Sequence, residues 1–151
     1  LAQTHNALAA GRLRVALENY RLVPRALDTS LWYSRALLAA APQNPEAWRE
    51  AFLAAQRAAA TSGERPNAWY NLAAFYATQN DFPNTERCLR VAIAWAPRWY
   101  KPRWMLAQVL EQAGRLEEAE AEARRAAELN NGHHPEVAQT WVRIRARRQQ
   151  K

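Results

Sequence analysis

The sequence predicts an all-α chain: a solenoid of helical hairpins with about three to four repeats and a closing helix. Three observations predict it. The stretches NAWYNLAAFYATQNDFPNTERCLRVAIAWAP and KPRWMLAQVLEQAGRLEEAEAEARRAAELNN match at an offset of 34 residues. An earlier stretch matches the first of these at an offset of 37. Breaks rich in Pro, Gly and Asn recur between segments that read as helix throughout. A repeat of this length describes a two-helix unit that buries its apolar face only by stacking on its neighbours.

The shift of 34 superposes Leu72 on Leu106, Ala73 on Ala107, Leu89 on Ala123, Ala92 on Ala126, and Asn80 on Gly114 at the central turn. The shift of 37 brings Trp32 onto Trp69, Tyr33 onto Tyr70, Ala36 onto Ala73, Phe52 onto Leu89 and Ala55 onto Ala92. One offset aligns both helices of that pair, so the three extra residues fall after its second helix, in ATSGERP. Gly11 and Ala16 repeat the spacing of Gly114 and Ala119, which suggests a diverged or truncated unit at the start.

In order, helices are expected at about Ala2 to Ala10, Leu13 to Leu22, Thr29 to Ala41, Pro45 to Ala60, Pro66 to Gln79, Pro83 to Trp95, Lys101 to Ala113, Leu116 to Leu129 and Pro135 to Arg148. Pro45, Pro66 and Pro135 suit a first helical turn, where a missing N–H costs nothing. Asn44 suits the N-cap before Pro45. In the helix after Gly114 the glutamates 117, 118, 120 and 122 precede Arg124 and Arg125, an order favoured by the helix dipole. Glu120 is expected to pair with Arg124 one turn on, and this face to be solvated. The final segment sets Val137, Ala138, Trp141 and Ile144 on one stripe and arginines on the other, as a capping helix needs.

Trp69, Leu72, Ala73, Tyr76, Leu89 and Pro97 follow the Trp-x2-Leu-Gly-x2-Tyr … Phe … Pro pattern, with Ala73 in the small-residue slot and Leu89 in the Phe slot. The chain therefore resembles the tetratricopeptide repeat (TPR) family. The second copy has Arg103, Leu110 and Asn131 at the Trp, Tyr and Pro slots, and keeps the Gly-x4-Ala phrase at Gly114. The resemblance implies a right-handed TPR-type solenoid in a single domain spanning 1–151. Its units would be a diverged or truncated repeat (1–27), three repeats (28–65, 66–99 and 100–133), and a capping helix with a basic tail (134–151).

The 151 residues are 49% hydrophobic, enough for one ordinary domain core. No apolar run approaches the length of a membrane span, and Leu1 to Ala10 lacks the layout of a signal peptide. The chain begins at Leu1 and not at Met, which points to a fragment or a processed form. Cys88 is the single cysteine and cannot form an internal disulfide. Lys and Arg total 21 against 14 Asp and Glu, a net +7 that permits anionic partners. The cations are mostly Arg and dispersed, with two concentrations: Arg98, Lys101 and Arg103 around a turn, and Arg143, Arg145, Arg147, Arg148 and Lys151 at the end. Arginines in a last helical turn also suit the helix dipole with no partner at all.

No enzyme constellation is present: no Gly-rich phosphate loop, no His-Glu-x-x-His, no Gly-x-Ser-x-Gly and no paired cysteines. His133 and His134 fall in a turn and read as neutral turn residues. No catalytic, cofactor or metal site is expected. The resemblance does imply a binding surface, because in TPR proteins the first helix of each unit lines the concave face. The residues after the Trp slot are Tyr33, Tyr70 and Trp104. With Asn71, Lys101, Gln108 and Glu111 they form the expected ligand-binding set, an aromatic ladder able to stack on peptide side chains, sugars or bases. Packing between repeats is the competing role for these rings. The Lys and Asn positions that capture chaperone tails in some TPR domains hold Tyr70, Trp104, Ala74 and Gln108 here, which disfavours that role.

A non-catalytic scaffold for a protein or peptide ligand is the leading expectation. The stretch from Asn67 to Trp141 also resembles the soluble TPR tail of bacterial O-antigen ligase or polymerase-like membrane proteins. That resemblance implies an extracytoplasmic or periplasmic accessory domain positioning glycan substrate or partners; without it the chain is expected in the cytoplasm. The segment WAPRWYKPRW interleaves aromatics with basic residues, which supports nucleic-acid binding as a third possibility.

Overall fold

A computed structural model describes residues 34, 35, 37, 39, 43–61 and 65–150. Six helices are bounded within them: α1 (Pro45–Thr61), α2 (Arg65–Thr78), α3 (Phe82–Trp95), α4 (Tyr100–Gln112), α5 (Leu116–Asn130) and α6 (Pro135–Gln149). The described part of the chain has no strand. All six lie within a residue or two of their expected bounds. Expected helices before Thr29, the diverged repeat 1–27 and Tyr33 lie outside the described residues.

The chain forms two compact units, Leu1–Leu72 and Ala73–Lys151, the division falling inside α2. In the first, Asn44 caps α1: its Oδ1 accepts the backbone N–H groups of Glu46 and Ala47 at 2.9 and 3.1 Å. The inner face of α1 is almost entirely alanine, with Ala47, Ala51, Ala54, Ala55 and Ala58 fully buried, and Ala58 packs with Ala68 of α2. Small residues let helix backbones approach closely. On the flank, the rings of Trp48 and Phe52 stack at 5.3 Å, 11° apart in plane.

In the second unit α4 packs on α3, α5 and α6, and α5 also packs on α6. The turns before α3 and before α5 show the 34-residue register in atomic detail. Asp81 N–H donates to the Tyr76 carbonyl and Asn80 N–H to that of Ala77, both at 3.0 Å; Arg115 N–H and Gly114 N–H make the equivalent bonds to Leu110 and Glu111 at 3.0 and 3.1 Å. Asn80 has φ +57° and Gly114 φ +77°. This left-handed conformation ends a helix while satisfying its last carbonyls, and only Gly or Asn adopts it readily. The matched slots Ala73 and Ala107, Leu89 and Ala123, and Ala92 and Ala126 are all fully buried. Asp81 caps α3 by accepting Asn84 N–H at 3.2 Å.

Helix α6 buries Val137, Thr140 and Ile144. Thr140 takes the place expected of Ala138, which is exposed, while Trp141 is half-buried. The acidic face of α5 also differs from expectation. Glu120 pairs with Arg148 of α6, not with Arg124, and Glu122 pairs with Arg103 of α4 at 3.0 Å. Arg124 instead reaches Glu128 at 3.7 Å. Long side chains on α5 thus reach neighbouring helices where a helix in isolation offers only its own next turn.

Candidate functional site

Helix α4 presents Trp104, Gln108 and Glu111 at i, i+4 and i+7, on the flank of its buried stripe of Leu106, Ala107 and Leu110. That polar side meets α6 in three rungs. At the first, the Tyr100 ring lies 6.0 Å from the His134 ring and 6.4 Å from that of Trp104. At the second, Trp104 Nε1–H donates to Thr140 Oγ1 at 2.9 Å, and the Thr140 hydroxyl donates to the Glu136 carbonyl at 2.9 Å. The indole is thereby fixed in orientation and remains half-buried. Gln108 Nε2 donates to the Trp104 carbonyl at 3.4 Å.

The third rung is ionic. Arg143 grips Glu111 with two bonds, Nε to Oε1 at 3.2 Å and NH2 to Oε2 at 2.7 Å. Arg147 NH1 reaches Glu111 Oε1 at 3.4 Å and its backbone carbonyl at 3.5 Å. The Glu111 side chain is only 11% exposed, against 56% and 51% for the two arginines. Hydrogen bonds from Arg143 hold the Glu111 carboxyl below the usual carboxylate range, against burial, which acts to raise it. The same pairing raises Arg143.

Of the predicted site residues, Lys101, Trp104, Gln108 and Glu111 stand on α4 in the second unit. Lys101 is exposed. Tyr70 and Asn71 stand on α2 in the first unit, both half-buried, with Asn71 Nδ2 donating to the buried Ser34 Oγ at 2.9 Å. Tyr100, Thr140, Arg143 and Arg147 were not singled out from the sequence as site residues. Their signal is a separation close to the repeat: His134 follows Tyr100 by 34, Thr140 follows Trp104 by 36, and Arg143 and Arg147 follow Glu111 by 32 and 36. Residues on one first helix meet those about one repeat later on the next.

Elsewhere the chemistry is sparse. Burial pushes the Cys88 thiol up to about 11, so it stays protonated and inert at neutral pH. His133 Nδ1–H donates to the Asn130 carbonyl at 2.7 Å, and no group of three metal-ligating residues exists among the described residues. On the outer side, Glu86, Arg90, Arg115 and Glu118 close a ring of exposed ion pairs. Burial acts to raise the Glu86 carboxyl, but hydrogen bonds from Arg90 and Arg115 outweigh it and lower it. Among the described residues no helix is long and apolar enough to cross a membrane.

Comparison with known proteins agrees with this architecture. The family model described as Tetratricopeptide repeat matches residues 100–133, the segment that the 34-residue register marks off as one repeat. No curated protein matches. The crystal structure of MamA protein superposes with a TM-score of 0.78 at 14% identity, covering 95% of this chain and 77% of that one. A thermophilic TPR protein of Thermus thermophilus superposes at 0.68 and 21% identity, covering 93% and 77%. The first TPR of Spaghetti (RPAP3), bound to the HSP90 peptide SRMEEVD, superposes at 0.66 and 19% identity, covering 78% and 93%. At these identities the likeness is one of fold. The chain is an all-α helical solenoid of the tetratricopeptide type, with a family repeat at 100–133.

Proposed function

We propose that this protein is a non-catalytic scaffold that binds a protein or peptide segment through its first-helix residues. Among the described residues those are Tyr70 and Asn71, and Lys101, Trp104, Gln108 and Glu111; Tyr33, outside them, matches Tyr70 in sequence at the offset of 37. The observation that carries this reading is the state of Trp104. Its one donor is consumed by Thr140, its ring is held beside Tyr100, and part of its surface stays open to solvent. A pre-oriented, half-buried aromatic is the kind of side chain that dominates interface energies, because little entropy is lost when it is covered. Glu111 acts indirectly, because its pairing with Arg143 and Arg147 sets how much of their charge is left for a ligand. The fold neighbour that holds an HSP90 peptide supports a peptide as the ligand class.

Selection of a displayed random-peptide library on the immobilised protein tests this. Selected peptides should bind the wild type, lose about tenfold or more in affinity on Trp104→Ala, and lose less on Trp104→Phe, which keeps a ring. Failure to select any peptide, or equal binding by a folded Trp104→Ala variant, would remove the reading. The rivals separate in the same assay. Binding of O-antigen glycan would favour an accessory domain beside a membrane ligase or polymerase-like protein. Steeply salt-dependent binding of an oligonucleotide would favour a nucleic-acid module.

A further inference from the structure

The charges on the two sides of the α4–α6 seam do not balance. Arg143 and Arg147 share the single carboxylate of Glu111, leaving a guanidinium charge uncompensated and N–H donors of both groups unused. Lys101 of α4 is exposed and has no carboxylate partner among the described residues. The remaining acid of α6, Glu136, sits in its first turn, away from the arginines. Both arginines are about half-exposed, so the donors that Glu111 does not take are open to a ligand.

Aromatic and ionic rungs are also spaced in a usable way. Trp104 and Glu111 are seven residues apart on one helix, a rise of about 10 Å. An extended chain covers that in about three residues. We propose that the seam takes an extended acidic peptide, with an apolar or aromatic side chain resting on Tyr100 and Trp104 and a carboxylate about three residues away engaging Arg143 and Arg147. This rests on the peptide-binding reading above and names the class of peptide. A nucleic-acid backbone fits less well. It needs a continuous basic track, whereas the largely buried carboxylate of Glu111 lies within this patch.

The test uses fluorescence anisotropy at low salt with three labelled probes: a peptide with Phe three residues before Glu-Glu, the same peptide with Lys-Lys in place of Glu-Glu, and an oligo-dT. The acidic peptide should bind at least about tenfold tighter than its charge-swapped partner. Arg147→Gln should weaken it by a similar factor, while Arg124→Gln on α5 should leave it unchanged. Glu111→Gln should tighten binding, because it removes the internal competitor for both guanidiniums. Arginines that only hold α6 in place would instead make Glu111→Gln weaken binding. Equal binding of the two peptides, tighter binding of oligo-dT, or weakened binding by a folded Glu111→Gln variant would overturn the proposal. If Glu111→Gln does not fold, the contrast between Arg147→Gln and Arg124→Gln decides: loss at both or at neither overturns it. If library-selected peptides bind in a Trp104-dependent manner and the acidic probe does not, this proposal fails while the broader reading stands.

Discussion

The two sides of helix α4 are built from different physics. One carries Leu106, Ala107 and Leu110, all fully buried, in the hairpin with α5, whose Ala119, Ala123 and Ala126 are likewise fully buried. The other carries Trp104, Gln108 and Glu111 and meets α6 through an indole hydrogen bond and a shared carboxylate. The apolar side follows the repeat pattern and sets how hairpins assemble. The polar side departs from that pattern: Trp104 and Gln108 stay partly open to water, while Glu111 is buried under its two arginines. On the proposed reading, stability and recognition fall on adjoining faces of one helix.

Substitutions on each side should therefore differ in size and kind. The largest loss is expected at Leu106→Ala, about 2 to 5 kcal/mol, since a fully buried side chain leaves a cavity. Ala107→Trp should cost about 1 to 3 kcal/mol or more by overpacking the slot where the small residue sits. Denaturant midpoints check both, and unchanged midpoints would show that the apolar side is misassigned. On the polar side Thr140→Val should cost only about 1 kcal/mol, because it strands the Trp104 N–H at a half-buried position. It should also shift Trp104 fluorescence, which a purely apolar loss at Leu106 need not do.

Acid should act through the polar side as well. The Glu111 carboxyl is held below its ordinary value of 4.5, so its contribution is fully present above that pH and is lost as pH falls through the lowered folded value. Acid unfolding of Glu111→Gln should accordingly be less steep below about pH 4.5 than that of the wild type. The smallest effect is expected at Arg124→Ala on the outer face of α5, below about 0.5 kcal/mol, since that side chain is 62% exposed and its pair is loose.

The sequence was legible where one residue type satisfies a steric rule. Asn80 and Gly114 occupy left-handed turns, Ala73 and Ala107 fill the tight slot, and Asn44 caps α1; each could be read from the repeat and from local backbone chemistry. It was less legible where long polar side chains choose among partners. Glu120 was expected to find Arg124 and finds Arg148, because a neighbouring helix supplies a competing cation that helix periodicity cannot reveal. Thr140 has no hydropathic mark of a buried residue, yet it is buried because its hydroxyl is satisfied by Glu136 and Trp104. Tyr70 and Asn71 stand on α2, and the bond from Asn71 to Ser34 spans the 37-residue offset, although the offset alone does not say which polar atoms pair.

The division of α4 into a structural and a recognition face is tested most directly by an amide and indole chemical-shift map recorded while a selected peptide is titrated in. The account predicts the largest shifts at the Trp104 indole N–H and at the amides of Tyr100, Gln108, Arg143 and Arg147, with Leu106 and the outer residues of α5 little changed. Shifts concentrated on Glu117, Glu118 and Arg124, with a still Trp104 indole signal, would contradict it.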